Sequence, residues 1–214
     1  MMDSNFDFRY RVFRYKRFSY FKSLINNLPR PLKILDVGGT DIFWKKMNFK
    51  EKGVKVSLLN LVKFPNINEN FKSIVGDARN MSHFKDQEFD VVFSNSAIEH
   101  LGSLEDQRAI AKEIRRVGKY YFVQSPNRFF FIEPHFLIPF FNLLPEIVRI
   151  WLIVNINFGR YRHIKNRVQA KKIINQIRLL NKKELCLLFP HSFIKEEKFS
   201  GMTKSFMVHN FKTY

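Results

Sequence analysis

Residues 34–44, Ile34-Leu35-Asp36-Val37-Gly38-Gly39-Thr40-Asp41-Ile42-Phe43-Trp44, hold the first side chains whose types and spacing could do chemistry. Lys33 to Val37 reads as a short apolar strand, and Gly38-Gly39 breaks it. From Thr40 the pattern turns helical, with Ile42, Phe43 and Met47 able to share one face. A strand running through glycines into a helix start lets a ligand approach bare backbone. Asp36, at the strand's end, adds a carboxylate that accepts hydrogen bonds from an ammonium or a hydroxyl. The combination suits a nucleoside carrying an amino-acid tail. It suits a pyrophosphate poorly, because a carboxylate there repels phosphate. A lone Asp-x-Gly is equally a plain tight turn in an α/β protein, so its weight comes from the order of elements after it.

Those elements alternate. Strands are predicted at 33–37, 54–60, 71–75, 89–95 and 120–124. Helices are predicted at about 41–52 and at 104–116, stopped by Gly53 and Gly118. This order implies a parallel sheet with right-handed crossovers, whose ligands sit beyond the carboxyl ends of the strands. Asp36, Asn60, Asp77 and Asn95 fall at or beside four successive strand ends. A helix is expected ahead of the sheet, where Phe13, Arg17, Tyr20, Phe21 and Leu24 fall at helical spacing before Pro29 and Pro31. It would pack on the first strand or across a cleft. Residues 125–164 break the rhythm, with Pro126, Pro134, Pro139 and Pro145 punctuating aromatic runs. The segment is too long for a plain connection and too apolar for a floppy loop, and reads as an inserted lid of two or three short helices. A lysine-rich helix at 165–180 comes next, with Val168, Ile173, Ile177 and Leu180 as its inner face. A second helix at 182–189 is capped by Asn181 with Glu184 three residues on. Segments 192–199 and 204–210 look like a closing pair of strands. No repeat, linker or low-complexity tract appears, so residues 1–214 are read as one domain, with 1–31 as a basic and aromatic leading helix.

Size and charge narrow the classes. A chain of 214 residues, 45% of them hydrophobic, can bury about 70% of its unfolded surface in a single core. The 25 Phe exceed what one core needs, so some should line a pocket or face lipid. One cysteine, Cys186, excludes an internal disulfide and fits a reducing cytosol; its apolar neighbours make it a buried filler. The start carries acids and no apolar run, which argues against a secretory signal. No apolar stretch reaches the ~20 residues of a membrane-spanning helix. A cytoplasmic protein, soluble or peripheral to the inner face of the membrane, is expected. The net charge of +18 is uneven: residues 1–31 carry seven Lys/Arg against two acids, and 160–183 carry nine against none. Such a basic skin favours contact with phosphates, acidic glycans or lipid headgroups, unless it is only a compositional bias.

With Ile34–Gly39, Gly76-Asp77-Ala78, Phe89–Leu101 and Tyr121–Pro134 in hand, the chain resembles the class I S-adenosylmethionine-dependent methyltransferases. It is most similar to a small branch found among glycan and surface-polysaccharide genes. Phe89-Asp90-Val91-Val92-Phe93-Ser94-Asn95-Ser96-Ala97-Ile98-Glu99-His100-Leu101 is fairly specific for the family. Ser125-Pro126-Asn127 through Ile132-Glu133-Pro134-His135-Phe136 looks like a narrower signature. The resemblance implies a Rossmann-like α/β fold: a mostly parallel seven-stranded sheet with an antiparallel last strand, helices on both faces, and the aromatic-rich lid. It also implies S-adenosyl-L-methionine as cofactor. Asp36 with the backbone of Gly38, Gly39 and Thr40 would hold the methionine end. Asn60 would meet the ribose hydroxyls, Leu61 would cover the adenine face, and Asp77 with the Ala78 N–H would read adenine. Ser94 and Asn95 would line the floor near the sulfonium. Two positions depart from the family pattern: Thr40 stands where a second motif glycine is usual, and Asn60 replaces the usual acid.

Methyl transfer from a sulfonium is an in-line displacement governed by alignment and desolvation, and it needs a base only if the attacking group must lose a proton. His100, Glu133 and His135 are the candidates for that role or for acceptor contact; the alternative is capping, packing or anchoring of the lid. His83, His163, His191 and His209 share no spacing, so no metal site is expected. A nucleic-acid methyltransferase would explain the charge. Strand four, however, reads Asn95-Ser96-Ala97-Ile98, without the Pro-Pro-aromatic run of base amino-methylation, and no cysteine stands near for C5-pyrimidine chemistry. A small or carrier-linked acceptor, such as a sugar, is favoured, with the basic aromatic face resting on anionic membrane. A non-catalytic module that has lost its cofactor is the competing class, and a nicotinamide dehydrogenase ranks last because Gly-x-Gly-x-x-Gly is absent.

Overall fold

The computed structural model describes residues 4–64, 69–156, 164 and 166–212, with side chains from Arg11 onward. The loop expected around Pro65, His163, the first basic residues of 160–183 and the side chains of Phe8, Arg9 and Tyr10 lie outside the described residues. Helix α1 (Ser4–Ile25) is followed by β1 (Leu32–Val37), the short α2 (Asp41–Lys46), β2 (Val54–Asn60), β3 (Phe71–Val75) and β4 (Phe89–Asn95). Next come α3 (Leu104–Val117), β5 (Gly118–Pro126), α4 (Glu146–Asn155), α5 (Arg167–Asn175), α6 (Lys182–Leu188), β6 (Phe193–Phe199) and β7 (Met202–His209).

The seven strands form one sheet in the order β3-β2-β1-β4-β5-β7-β6. Strands β1 to β5 pair in parallel, and β7 runs antiparallel to both β5 and β6. This is the Rossmann-like sheet expected, reversed last strand included. Strand order turns back between β1 and β4: the chain lays β2 and β3 on one side of β1, then returns to place β4 on the other. Connections from the two halves leave on opposite faces at such a point, so a crevice opens beyond the carboxyl ends of β1 and β4.

Alternation along β1 sends its side chains to two different cores. Leu35 and Val37 join Val92, Ile110, Ile114 and Val123 on the face covered by α3 and α6. Ile34 joins Phe18, Phe21, Trp44, Phe93 and Phe122 on the face covered by α1 and α2. Asp36 takes the same parity as Ile34 and therefore enters the aromatic side. Helix α1 has no Gly or Pro in its span, and Phe18, Phe21 and Ile25 recur on one face. The Phe21 ring lies 4.6 Å from Phe93 and 5.4 Å from Phe122, which fastens the helix across the sheet.

Several elements differ from expectation. Helix α2 stops at Lys46, because Asn48 adopts a left-handed φ of 48° that folds Phe49 back onto Trp44, ring centroids 4.9 Å apart. The helix expected over 165–180 spans only Arg167–Asn175, with Ala170 and Ile174 inward and Val168 77% exposed. Beyond it the chain extends: the Arg178 N–H donates to the Glu99 carbonyl, and Leu180 bridges to Asn127. Cys186 is exposed, not buried, since α6 turns Leu185 and Leu188 inward. The aromatic insertion holds one helix, α4, and a single 3-10 turn at Phe141–Leu143 among its described residues. Phe136, Ile138, Phe141 and Ile153 pack there with Ala170 and Ile174 of α5 as a third apolar cluster.

Because Phe21 ties α1 to β4 and β5, Phe21→Ala should lower unfolding stability by about 3–5 kcal/mol, as large aromatic truncations do. Denaturant titration followed by circular dichroism measures it.

Candidate active site

The crevice at the reversal point is an open cleft with a cavity volume of about 240 Å³. Asp36, Gly38, Gly39 and Thr40 line it from the β1–α2 turn, and Phe93, Asn95 and Ser96 from the end of β4. His100 and His135 line the opposite part, together with Glu99.

Asp36 is the central group. It is 1% exposed, its Oδ2 accepts a 2.6 Å hydrogen bond from Trp44 Nε1, and its Oδ1 has no partner among the described residues. Burial pushes its pKa up to about 7, and the Trp44 bond only partly offsets that. An acceptor atom this dehydrated and only half satisfied is costly unless a ligand completes it. The glycines beside it are dictated by space. A Cβ on Gly39 would fall 1.7 Å from Asp36 Oδ2, and one on Gly38, whose φ is +77°, would meet Ala97 Cβ at 2.7 Å. The turn therefore packs directly against Asp36 and Ala97, with no room for a side chain. Thr40 comes next in extended conformation as the cap residue of α2, its side chain making no capping bond. Trp44, which orients Asp36, was missed from sequence. It sits eight residues on, and only the return of α2 over β1 brings its indole N–H to the carboxylate.

The residues assigned to the nucleoside are placed further along the strand ends. Asn60 Nδ2 donates to the Gly39 carbonyl at 2.8 Å, so its amide braces the glycine turn. Asp77 accepts from Arg79 at 2.6–3.0 Å, and this pairing holds its carboxyl below the usual range. Leu61 is well exposed beside the end of β2, and Ala78 comes after Asp77 in the turn beyond β3. Asn60, Leu61, Asp77 and Ala78 are not among the residues lining the cleft. Ser94 is fully buried beneath it, donating to the Val37 carbonyl at 3.3 Å and so tying β4 to β1. Ser96 takes a left-handed φ of 56°, held by its N–H and hydroxyl on the Gln124 carbonyl and Oε1 at 3.0 and 2.7 Å. A bulky residue would strain there, and the turn aims the Ile98–Leu101 segment into the cleft.

On the acceptor side, Glu133 stands behind His135. Its Oε2 accepts from the backbone N–H groups of His135 and Phe136, both at 2.6 Å, and its Oε1 lies 2.7 Å from His135 Nδ1. With its Oε2 taken by two N–H donors, Glu133 acts as the acceptor and His135 Nδ1 as the donor, which in the neutral ring leaves the lone pair on Nε2. The His135 and His100 rings meet edge to face at 4.8 Å. Glu99 is 0% exposed and neither carboxylate oxygen has a hydrogen-bond partner among the described residues. Burial drives its pKa up to about 7. Its turn is fixed from behind, since Gln107 Nε2 donates to the Ile98 carbonyl at 3.0 Å and the Arg178 N–H to the Glu99 carbonyl at 2.8 Å. Glu99 was another omission. The signal was present as an acid inside the strand-four motif, but a Glu next to a His on a short turn reads as solvated until its burial is known.

A second, apolar cleft with a cavity volume of about 170 Å³ adjoins the first and shares Arg17, Ser96, Pro126 and Pro134 with it. Phe13, Phe130, Leu137 and Phe199 line it, with Lys204 at its edge. Arg17, from α1, is buried between the two clefts with its Nη1 3.5 Å from Glu197 Oε2. Lys204 Nζ lies 3.8 Å over the Phe13 ring, and burial pulls its pKa down to about 8.

Residues 35–120 match a family model described as a methyltransferase domain, a span that contains the glycine turn and the strand-four motif. No match is found among curated proteins. A solved structure of a SAM-dependent methyltransferase from Methanosarcina mazei aligns over 86% of this chain and 93% of its own, at 16% identity and a TM-score of 0.52. A 1,6-didemethyltoxoflavin-N1-methyltransferase from Burkholderia thailandensis, with S-adenosylhomocysteine bound, aligns over 87% and 73%, at 13% identity and 0.50. A Rhodobacter sphaeroides chain assigned to the Zn-dependent alcohol dehydrogenases aligns over 88% and 86%, at 9% identity and 0.52. Likeness of fold alone therefore does not choose the chemistry; the family match over residues 35–120 does. Residues 35–120 of the chain are thus a methyltransferase domain, set in a sheet of the same fold as the solved methyltransferases.

Proposed function

We propose that the donor's methionine end lies along Gly38, Gly39 and Thr40 with its ammonium on Asp36, and that the acceptor occupies the adjoining apolar cleft. The unpartnered Oδ1 of Asp36, buried beside two glycines that tolerate no Cβ, carries this assignment. An acceptor in the second cleft reaches toward the first between Arg17 and Ser96, where His100 and His135 flank it. An apolar wall with a buried guanidinium suits a ringed acceptor bearing an anionic group, such as a sugar joined to a phosphate carrier. The methyl group then moves in line from sulfonium to acceptor, and the apolar wall of the second cleft limits water around it. The nucleoside would extend toward Asn60, Leu61, Asp77 and Ala78, with Asp77 exchanging part of its Arg79 pairing for adenine.

A carrier-linked acceptor also accounts for the outer face of the lid. Leu143, Ile147 and Trp151 form an exposed stripe, Ile147 being 82% exposed, and Lys171 and Lys172 lie on the neighbouring α5. Apolar side chains beside cations favour the surface of an anionic bilayer. Among the described residues no helix is long and apolar enough to cross one.

Titration calorimetry with S-adenosylmethionine should show micromolar binding, lost by at least tenfold in Asp36→Ala and in Gly39→Ala, with circular dichroism unchanged. Absence of binding to the wild type would favour a non-catalytic module. Because the ammonium binds the ionised form of a carboxyl raised to about 7, affinity should fall as pH drops through 7, by up to about tenfold per unit. Glu99, His100, His135, Arg14, Arg17 and Lys46 face the same cleft, so Asp36→Asn is the control that must flatten the Asp36 contribution. Trp44→Phe removes the bond that favours ionisation and should move the midpoint upward. For the lid, co-sedimentation with vesicles containing phosphatidylglycerol should exceed that with neutral vesicles and fall in Ile147→Asp; equal binding to both would remove the membrane contact.

A further inference from the structure

Glu99, His100 and His135 meet in the wall of the cleft, and methyl transfer as assigned to the two clefts does not use them together. One carboxylate oxygen of Glu99 and one ring nitrogen from each histidine all lie within 4.8 Å of one another. Three features make this more than a chance cluster. Glu99 presents two oxygens that are fully buried and unpartnered among the described residues, while its backbone is pinned by Arg178 and its turn by Gln107. His135 has its Nδ1 engaged by Glu133, which fixes the ring and leaves Nε2 as the nitrogen open to a ligand. A carboxylate behind an imidazole is the support that metal-ligating histidines commonly have. Finally, all three groups border the space between the donor turn and the acceptor cleft.

We propose that Glu99, His100 and His135 form a divalent metal site, with Glu133 as the positioning residue for His135. One carboxylate with two imidazoles suits a borderline first-row cation such as Mn²⁺, Co²⁺ or Zn²⁺, better than the all-oxygen set that Mg²⁺ and Ca²⁺ prefer. Ligand atoms at about 2.1 Å from one ion lie no more than about 4.2 Å apart, so the exposed His100 ring closes inward by a rotamer adjustment while the two buried ligands stay in place. Three protein ligands leave positions open to the cleft, where a hydroxyl or a pair of hydroxyls of the acceptor would bind. Arg14, Arg17 and Lys46 also face this space, and the carboxylates of Glu99 and Glu133 oppose them locally. The site deepens the methyltransferase assignment and rests on it for its role, though not for ion binding itself. Bound to the cation, the acceptor hydroxyl loses its proton to water, its oxygen attacks the sulfonium methyl, a C–O bond forms and the C–S bond breaks. The sulfur keeps that electron pair and leaves as the neutral thioether.

The test uses the full chain stripped with EDTA and titrated with Co²⁺, followed by visible absorption and calorimetry, with S-adenosylmethionine binding measured in parallel. Saturable one-to-one Co²⁺ binding with a visible ligand-field band is expected. Glu99→Gln and His135→Ala should each weaken it at least 100-fold, and Glu133→Gln about 10–100-fold, as loss of a supporting carboxylate does. His100→Ala, at an exposed position, keeps the test valid if a buried variant fails to fold, and it too should weaken binding at least tenfold. Absence of saturable Co²⁺ binding, or equal affinity in wild type and His100→Ala, overturns the metal site and leaves the three groups as proton carriers. Donor binding without metal binding overturns this inference alone; metal binding without donor binding overturns the functional assignment and leaves the site.

Discussion

Asp36 has to hold a carboxylate on the aromatic side of a parallel sheet, and much of the site is a consequence of that constraint. Strand parity directs it there, between Ile34 and a wall of Phe and Trp rings. A carboxylate so placed is expensive to ionise, as its raised pKa shows. One oxygen is satisfied by Trp44, which requires α2 to double back at once over β1. The other is left facing the cleft, which requires the residues beneath it to have no side chain. Gly39 and the choice of Trp44 thus trace to a single buried carboxyl, while Gly38 is held by Ala97 and α2 stops at the Asn48 turn.

Sheet topology supplies the second half of the site. Only because the order turns back between β1 and β4 does the Asp36 turn come to lie beside Asn95, Ser96 and Glu99. Helix α1 then closes the aromatic side and delivers Phe13 and Arg17 to the edge of both clefts. The segment after β5 returns to set His135 against His100. Elements more than a hundred residues apart, among them Arg17 and Glu197 at 3.5 Å, meet in this way around one opening.

Buried polar groups divide sharply between the satisfied and the waiting. Glu133 has both oxygens engaged by its own loop, through three contacts, and serves to set a ring. Asp77 is paired with Arg79. Asp36 Oδ1 and both oxygens of Glu99 are left without partners in the same cleft. Unmet carboxylate acceptors cost stability, and those of Asp36 and Glu99 stand at one opening, whereas Arg149 Nε and His209 Nδ1 are unpartnered elsewhere among the described residues.

Sequence alone determined the alternation of strands and helices and the glycine turn, because period-two and helical patterns and punctuation by glycine are local; the reversed last strand followed from the resemblance carried by its motifs. It also singled out Asp36, His100 and His135, whose types stand out at strand ends and in an aromatic segment. It could not determine that α2 ends after six residues, that Cys186 faces out or that residues after Asn175 unwind, since each depends on a partner distant in the chain. The roles of Trp44, Glu99 and Glu133 likewise emerged only from packing. Whether a carboxylate is solvated, spent or waiting is decided by the neighbours that remove water from it, and those neighbours are assembled by the tertiary fold.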